Sequence, residues 1–163
     1  MTAPLNPGDS LPEPDHVLRY IGKRFVDNGQ IDGNAFLSRP AEKDDGPSVN
    51  WMEFFGGDTV AKIEAIRRVK RMTYAKGACL ARLNVGATKA YLLGQTQHAI
   101  DFIYDPLTEN AEKNWPADPS HVYVFNVPIR IEPGEDSPER EAIGDLIADC
   151  IIESWAVVPD RTK

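Results

Sequence analysis

Residues 48–85 read SVNWMEFFGGDTVAKIEAIRRVKRMTYAKGACLARLNV, and the order of patterns within them sets the architecture of the chain. The first eight residues partly alternate apolar and polar side chains, which predicts a half-buried strand. Two glycines stop that strand, and Asp58 follows where an N-cap carboxylate accepts the free amide hydrogens of a helix. The alternation returns over residues 78–85 and predicts another strand after the helix.

The helix that begins after Asp58 is predicted to run to about Tyr74, with Gly77 as its C-cap. Its apolar residues step by three and form one stripe: Val60, Ile63, Ile66, Val69 and Met72. The opposite face is basic and carries Lys62, Arg67, Arg68, Lys70 and Arg71. This face is the candidate surface for a protein partner, in a chain whose formal net charge is -7.

Other segments carry weaker patterns. Residues 16–21 suit a strand or the opening of a short helix, and the strand is preferred because β-formers dominate. The turn signal at residues 27–29 predicts an irregular hairpin. Residues 95–104 and 121–131 are predicted strands, while residues 86–94 are ambiguous.

The last helix and the order of the elements define the fold class. Ser137 is a predicted N-cap, followed by proline at the first helical position, and the helix has an acidic outer face. Because strands come in runs with only two such helices, we expect an α+β fold with a mixed or mainly antiparallel sheet and the two main helices on one side. Four prolines predict a flexible arm over residues 1–14, before a single globular domain at 15–163.

Composition narrows the functional classes. The chain has 163 residues and no run of about 20 apolar residues, so we expect one core and no membrane span. The N-terminus lacks a basic start and an apolar segment, which favours a cytoplasmic protein. The acidic balance disfavours nucleic acid as a partner, with the basic helix as the local exception.

Common catalytic signatures are absent from the sequence. There is no GxxxxGK(S/T), GxGxxG, HExxH or GxSxG motif. Cys79 and Cys150 lack a CxxC neighbour and a histidine at ligand spacing, which predicts buried reduced thiols. We therefore expect neither a metal nor a cofactor.

The candidate site residues are scattered along the chain. A histidine is the usual general base, so a catalytic model chooses among His16, His98 and His121, of which His98 is expected to be exposed. The candidate catalytic residues are His16, Arg19, Ser48 and His121, and the candidate ligand-binding residues are Arg19, Ser48, Trp51 and His121. Structural roles are the alternative: a surface histidine beside a salt-bridged arginine, core packing of Trp51 and a hydrogen bond from His121 at a loop mouth.

Several short segments resemble motifs of a loosely defined group of small bacterial proteins: residues 15–21, 32–36, 48–51, 105–106 and 119–122. The resemblance brings no activity with it. It implies that Arg19, Ser48 and His121 belong to one site.

Two functional hypotheses follow from these observations. The leading one is a non-catalytic binding or accessory protein of a bacterial operon, whose basic helix meets a protein partner, a second copy or the acidic last helix. The alternative is a small enzyme or binder that acts on a nucleotide or nucleic acid. In that case Arg19 binds phosphate, Ser48 positions the substrate and His121 serves as acid or base.

Overall fold

A computed structural model describes residues 4–39 and 46–159 of the protein. In chain order its elements are β1 (His16–Ile21), β2 (Val26–Asp27), β3 (Gln30–Ile31), β4 (Ser48–Trp51), α1 (Thr59–Lys70), β5 (Cys79–Asn84), α2 (Val85–Thr96), β6 (Asp101–Tyr104), β7 (His121–Phe125), α3 (Pro138–Asp149) and β8 (Glu153–Ala156), with short 3-10 helices at Lys23–Phe25, Gly33–Phe36 and Met52–Phe54.

Six of the strands form one sheet in the order β6-β7-β4-β1-β5-β8, and its neighbouring pairs are all antiparallel. β2 and β3 form a separate hairpin whose turn residues, Asn28 and Gly29, both have positive φ. The predicted α+β class with a mainly antiparallel sheet is therefore confirmed. No helix within the described ranges is long and apolar enough to cross a membrane.

Helices cover both faces of this sheet, which corrects the expectation that they share one side. Along β1, Val17 belongs to a large core that includes Leu92 of α2 and Ile147 of α3. The next residue, Leu18, belongs to a smaller core with Ile66 of α1. Because successive strand residues point to opposite faces, α1 lies across the sheet from α2 and α3.

One helix beyond the two predicted ones, α2, covers residues 86–94, whose sequence pattern is ambiguous. Asn84 caps it by accepting a hydrogen bond from the Ala87 amide at 2.8 Å. Two internal glycines, Gly86 and Gly94, weaken the helical pattern in the sequence. The predicted strand over residues 95–104 is shorter: residues 95 and 96 complete the helix, Gln97 caps it in a left-handed conformation, and β6 begins at Asp101.

The element bounds differ from the predictions mainly at their C-terminal ends. Asp58 caps α1 as expected, with its carboxylate 2.9 Å from the Ala61 amide. That helix ends at Lys70 because Arg71 adopts a left-handed conformation, so Tyr74 and the predicted cap Gly77 lie beyond it. The strands that begin at residues 48 and 121 also end early, at a 3-10 helix and at the positive φ of Asn126.

The described part of the N-terminal segment is extended and hydrogen-bonded to β6. The Gly8 amide donates to the Tyr104 carbonyl at 2.8 Å, and the Leu11 amide donates to the Phe102 carbonyl at 2.9 Å. Leu11 is buried in the large core. Residues 1–3 of the predicted arm and residues 40–45 lie outside the described ranges.

Candidate functional site

The structure brings Ser48 and His121 together. Each is the first residue of its strand, and the strands β4 and β7 are antiparallel neighbours. His121 pairs with Asn50, which lies two residues after Ser48 on β4. Side chains two residues apart on a strand share a face, so Ser48 and His121 both point to the side of α1. The distance from Ser48 Oγ to His121 Nε2 is 2.9 Å.

Asp105, immediately after β6, fixes the other side of the His121 ring. His121 Nδ1 is 2.8 Å from the Asp105 backbone oxygen and 3.3 Å from its Oδ2. Both are acceptors, so the hydrogen-bond network assigns the proton to Nδ1 and leaves Nε2 to accept the Ser48 hydroxyl hydrogen. His121 is only 7% exposed, which restricts its ring to this orientation.

A buried polar network lies beside this pair. Asn50 Nδ2 lies 3.1 and 3.0 Å from the two Asp118 carboxylate oxygens and 2.9 Å from Ser120 Oγ. Ser120 Oγ in turn donates to Asp118 Oδ1 at 3.0 Å. All three side chains are buried, so this network holds the turn that precedes His121 in one conformation.

Lys70 joins the network from α1. Its Nζ donates to Asn50 Oδ1 at 3.1 Å. Burial lowers the pKa of Lys70, the Asp118 carboxylate opposes that shift, and the positive charge of Arg19 adds to it. Because Lys70 points into this network, it does not contribute to a partner surface on the basic helix.

Ser48, His121 and Lys70 all line one cavity of about 190 Å³. Among the described residues, the cavity is also lined by Asp118 and three apolar residues, Leu107, Trp115 and Pro116. Trp115 is 58% exposed, so the apolar lining reaches the protein surface. The cavity therefore places a hydroxyl, an imidazole and an amine beside an apolar surface.

Arg19 bonds to the start of β4 through a backbone carbonyl. It lies on the opposite face of the sheet, where its Nε and Nη2 donate to the Ala35 carbonyl at 3.1 and 2.8 Å. Its Nη1 donates to the Ser48 carbonyl at 2.6 Å. Arg19 therefore ties the start of β4 to the 3-10 helix at Gly33–Phe36.

His16 and Trp51 lie away from the cavity. His16 Nδ1 is 2.6 Å from Glu53 Oε1, and the His16 amide donates to the other oxygen of that carboxylate. Trp51 is buried in the large core, and its Nε1 donates to Asp15 Oδ2 at 2.8 Å. Trp51 thus packs in the core, and His16 is hydrogen-bonded to Glu53. His98, half-buried, contacts the Asn126 carbonyl.

The five basic residues of α1 and its C-cap do not share one surface. The Arg67 guanidinium lies 4.1 Å from the Tyr74 ring centroid, and Lys70 points into the polar network. Arg68 and Arg71 are exposed, and Lys62 is half-buried. Because α1 and α3 cover opposite faces of the sheet, their charged faces do not meet within one chain.

The thiols and acidic groups contribute no further cluster. Cys79 and Cys150 are both free, and burial raises the pKa of each thiol. Within residues 4–39 and 46–159, no group of three or more His, Cys, Asp and Glu side chains has the arrangement of a metal site.

Sequence reasoning missed Asn50, Lys70 and Asp105 as neighbours of the serine–histidine pair. Asp118 and Ser120 carried a signal, since they form the turn directly before His121. The other three reach the site through strand pairing and helix packing, which no local pattern encodes.

Fold and site together define a small α+β protein with a hydrogen-bonded serine–histidine pair at a surface cavity. Comparison with protein-family models, with curated proteins and with solved structures finds no match for this chain. The resemblance to a group of small bacterial proteins therefore stays a prediction.

Proposed function

We propose that this protein is a small hydrolase in which Ser48 is the nucleophile and His121 is the general base. The observation that carries the proposal is the 2.9 Å contact between Ser48 Oγ and His121 Nε2, made while Nδ1 is held by Asp105. A serine hydroxyl is a weak nucleophile until a base within hydrogen-bonding distance removes its proton, and that base needs an orienting partner. All three parts are present here.

The geometry supports attack on an ester or amide carbonyl. His121 Nε2 takes the Ser48 proton as Oγ bonds to the carbonyl carbon, and the imidazolium then returns that proton to the leaving alcohol or amine. A water molecule hydrolyses the resulting acyl-serine by the same route. Lys70 lines the cavity with Ser48, so a positive charge lies near the oxyanion that forms during the attack.

The cavity lining favours a small apolar acyl group. Leu107, Trp115 and Pro116 give the acyl chain an apolar surface, and a volume of about 190 Å³ is small for a ligand site. In this proposal Arg19 supports the backbone and does not bind phosphate. Three of its N–H groups already donate to carbonyl oxygens.

A fluorophosphonate probe tests the nucleophile, because it forms a covalent bond only with activated hydroxyl groups. We expect intact-mass spectrometry of the wild-type protein to show a single adduct, and peptide mapping to locate it at Ser48. Ser48→Ala should lose the adduct. The control Ser137→Ala should keep it, because Ser137 makes no side-chain capping bond. A folded wild-type protein that remains unlabelled contradicts the proposal.

A non-catalytic role through α1 is the second candidate. Arg68 and Arg71 are exposed and make no ion pair in the described part of the chain. On α3, burial raises the pKa of Asp145, and the neighbouring charges of Glu141, Asp32 and Asp149 raise it further. A basic surface from a second copy would relieve that repulsion, so a homodimer is the partner that the charges favour.

Sedimentation at low and high salt tests this homodimer. We expect the wild-type protein to form a dimer that dissociates as salt rises, because exposed charges are screened. Arg68→Glu combined with Arg71→Glu should abolish the dimer at low salt. A protein that stays monomeric at high concentration and low salt contradicts the α1–α3 contact between copies.

A further inference from the structure

A second cavity, of about 320 Å³, is lined by four arginines: Arg19, Arg24, Arg39 and Arg130. Phe25 and Ser48 are also part of the lining, and among residues 4–39 and 46–159 no carboxylate lines this cavity. In a chain of net charge -7, four guanidinium groups around one cavity are a strong local concentration of positive charge.

Phe25 holds two of these arginines in place. The Arg24 guanidinium lies 4.4 Å from the centroid of the Phe25 ring, and the Arg130 guanidinium lies 5.4 Å from it. A guanidinium that packs on an aromatic ring keeps its edge N–H groups available for an acceptor. Arg19 is fixed by its bonds to the Ala35 and Ser48 carbonyls.

Arg130 carries an unmet hydrogen-bonding requirement. Its Nε is buried and has no hydrogen-bond partner. Within residues 4–39 and 46–159, the side chains of Arg24 and Arg130 have neither a hydrogen-bond acceptor nor a carboxylate partner. Buried polar groups are nearly always paired, so an orphan donor beside a cationic cavity points to a bound anion.

The charges around the cavity locate the anion. An adjoining cavity shares Arg24, Phe25 and Arg130 but is also lined by Asp32, Glu132 and Glu135. Those carboxylates repel an anion on that side. The anion therefore belongs in the cavity of about 320 Å³, whose charged lining residues in the described part of the chain are all arginines.

We propose that this cavity binds a small phosphorylated molecule through a pyrophosphate-like group. Planar guanidinium groups present paired N–H donors that match phosphate oxygens, and several positive charges suit a group that carries more than one negative charge. The volume is at the lower end for small-molecule sites and is too small for a nucleic-acid strand. Arg24 and Arg130 are the residues that would bind the phosphate oxygens.

This inference is independent of the proposed hydrolase activity. Ser48 lines both cavities, but its hydroxyl points to the His121 side while its carbonyl accepts from Arg19. Binding at the arginine cavity is measured directly, without turnover. Ser48→Ala should therefore bind pyrophosphate as the wild type does, even though it should lose the fluorophosphonate adduct.

Isothermal titration calorimetry with inorganic pyrophosphate tests the site. We expect saturable binding at one site per chain, with weaker binding of inorganic phosphate and loss of affinity at high salt. Arg24→Gln and Arg130→Gln should each weaken binding at least tenfold. Arg24 is exposed, so its substitution leaves the core intact, and circular dichroism checks the fold of both variants.

Arg68→Gln is the matched control, because it removes the same charge from an exposed position on α1. Its affinity should equal that of the wild type. The inference is overturned if the wild-type protein shows no saturable binding at millimolar pyrophosphate, or if Arg24→Gln binds as tightly as Arg68→Gln does.

Discussion

At the scale of single residues, a small number of polar contacts fixes the geometry of the site. His121 has one partner on each ring nitrogen, and the buried Asn50 joins Lys70 to the turn that precedes His121. Buried polar groups of this kind are costly when a partner is lost, so each substitution should have a large and separable effect.

Lys70 should give the stability of the protein a distinct pH dependence. Burial lowers the pKa of Lys70 below its ordinary value of 10.5, so the unfolded chain binds more protons than the folded chain between the two values. Stability contributed by this residue therefore rises with pH through that window and reaches its full value above 10.5.

Chemical denaturation at a series of alkaline pH values measures this contribution. The free energy of unfolding of Lys70→Met should rise less steeply with pH than that of the wild type. Arg68→Met is the control on the exposed side of the same helix, and its slope should match the wild type. Equal slopes for Lys70→Met and the wild type would contradict the burial of the Lys70 ammonium.

At the scale of elements, the packing of α3 on the 3-10 helix at Gly33–Phe36 depends on two glycines. A Cβ added to Gly144 would lie 2.7 Å from the Gly33 carbonyl oxygen, and one added to Gly33 would lie 2.5 Å from the Asp145 backbone nitrogen. Both contacts are with backbone atoms, which cannot move independently of their elements. Arg19 bonds to the same short helix, so this packing also supports the position of Ser48.

Gly144→Ala should therefore destabilise the protein even though alanine favours a helix. Overpacking of this kind costs about 1–3 kcal/mol, which exceeds the gain of about 1 kcal/mol in helix propensity. Gly94→Ala in α2 is the control, because nothing lies within 4 Å of the added Cβ. Urea denaturation should show Gly94→Ala to be at least as stable as the wild type, and the reverse order of the two variants would contradict the packing.

At the scale of the whole molecule, the two cavities lie at the same end of the sheet because β4 begins there. Ser48 contributes its hydroxyl to one cavity and its carbonyl to the bond with Arg19 beside the other. The antiparallel register between β4 and β7 brings residue 48 to residue 121 across 73 positions of sequence. One sheet thus supports the serine–histidine pair on one face and a cationic cavity on the other.

The sequence predicts those features that short segments encode on their own. Asp58 as an N-cap, the turn at Asn28 and Gly29, and the strand at His16–Ile21 are all confirmed. The predictions that depended on long-range packing were the ones that needed correction. The placement of helices on both faces depends on tertiary contacts, and α1 ends early at the left-handed conformation of Arg71.

The candidate site residues show the same difference between local patterns and long-range packing. Ser48 and His121 were selected by residue type, and the structure places them in contact. Arg19 and Trp51 were also selected by residue type, but their hydrogen bonds support the backbone and the core instead. A polar side chain lines a cavity only if it lies on the right face of its strand and beside the right neighbouring strand. Sequence spacing alone does not reveal which strand is the neighbour.

The rate of fluorophosphonate labelling tests the central claim most directly, because it reports whether His121 activates Ser48. We predict that His121→Gln labels at least 100-fold more slowly than the wild type, the contribution expected of a general base. The control His16→Gln should label at the wild-type rate, because His16 bonds to Glu53 outside the cavity. A His121→Gln protein that is folded and labels Ser48 as fast as the wild type would contradict the account.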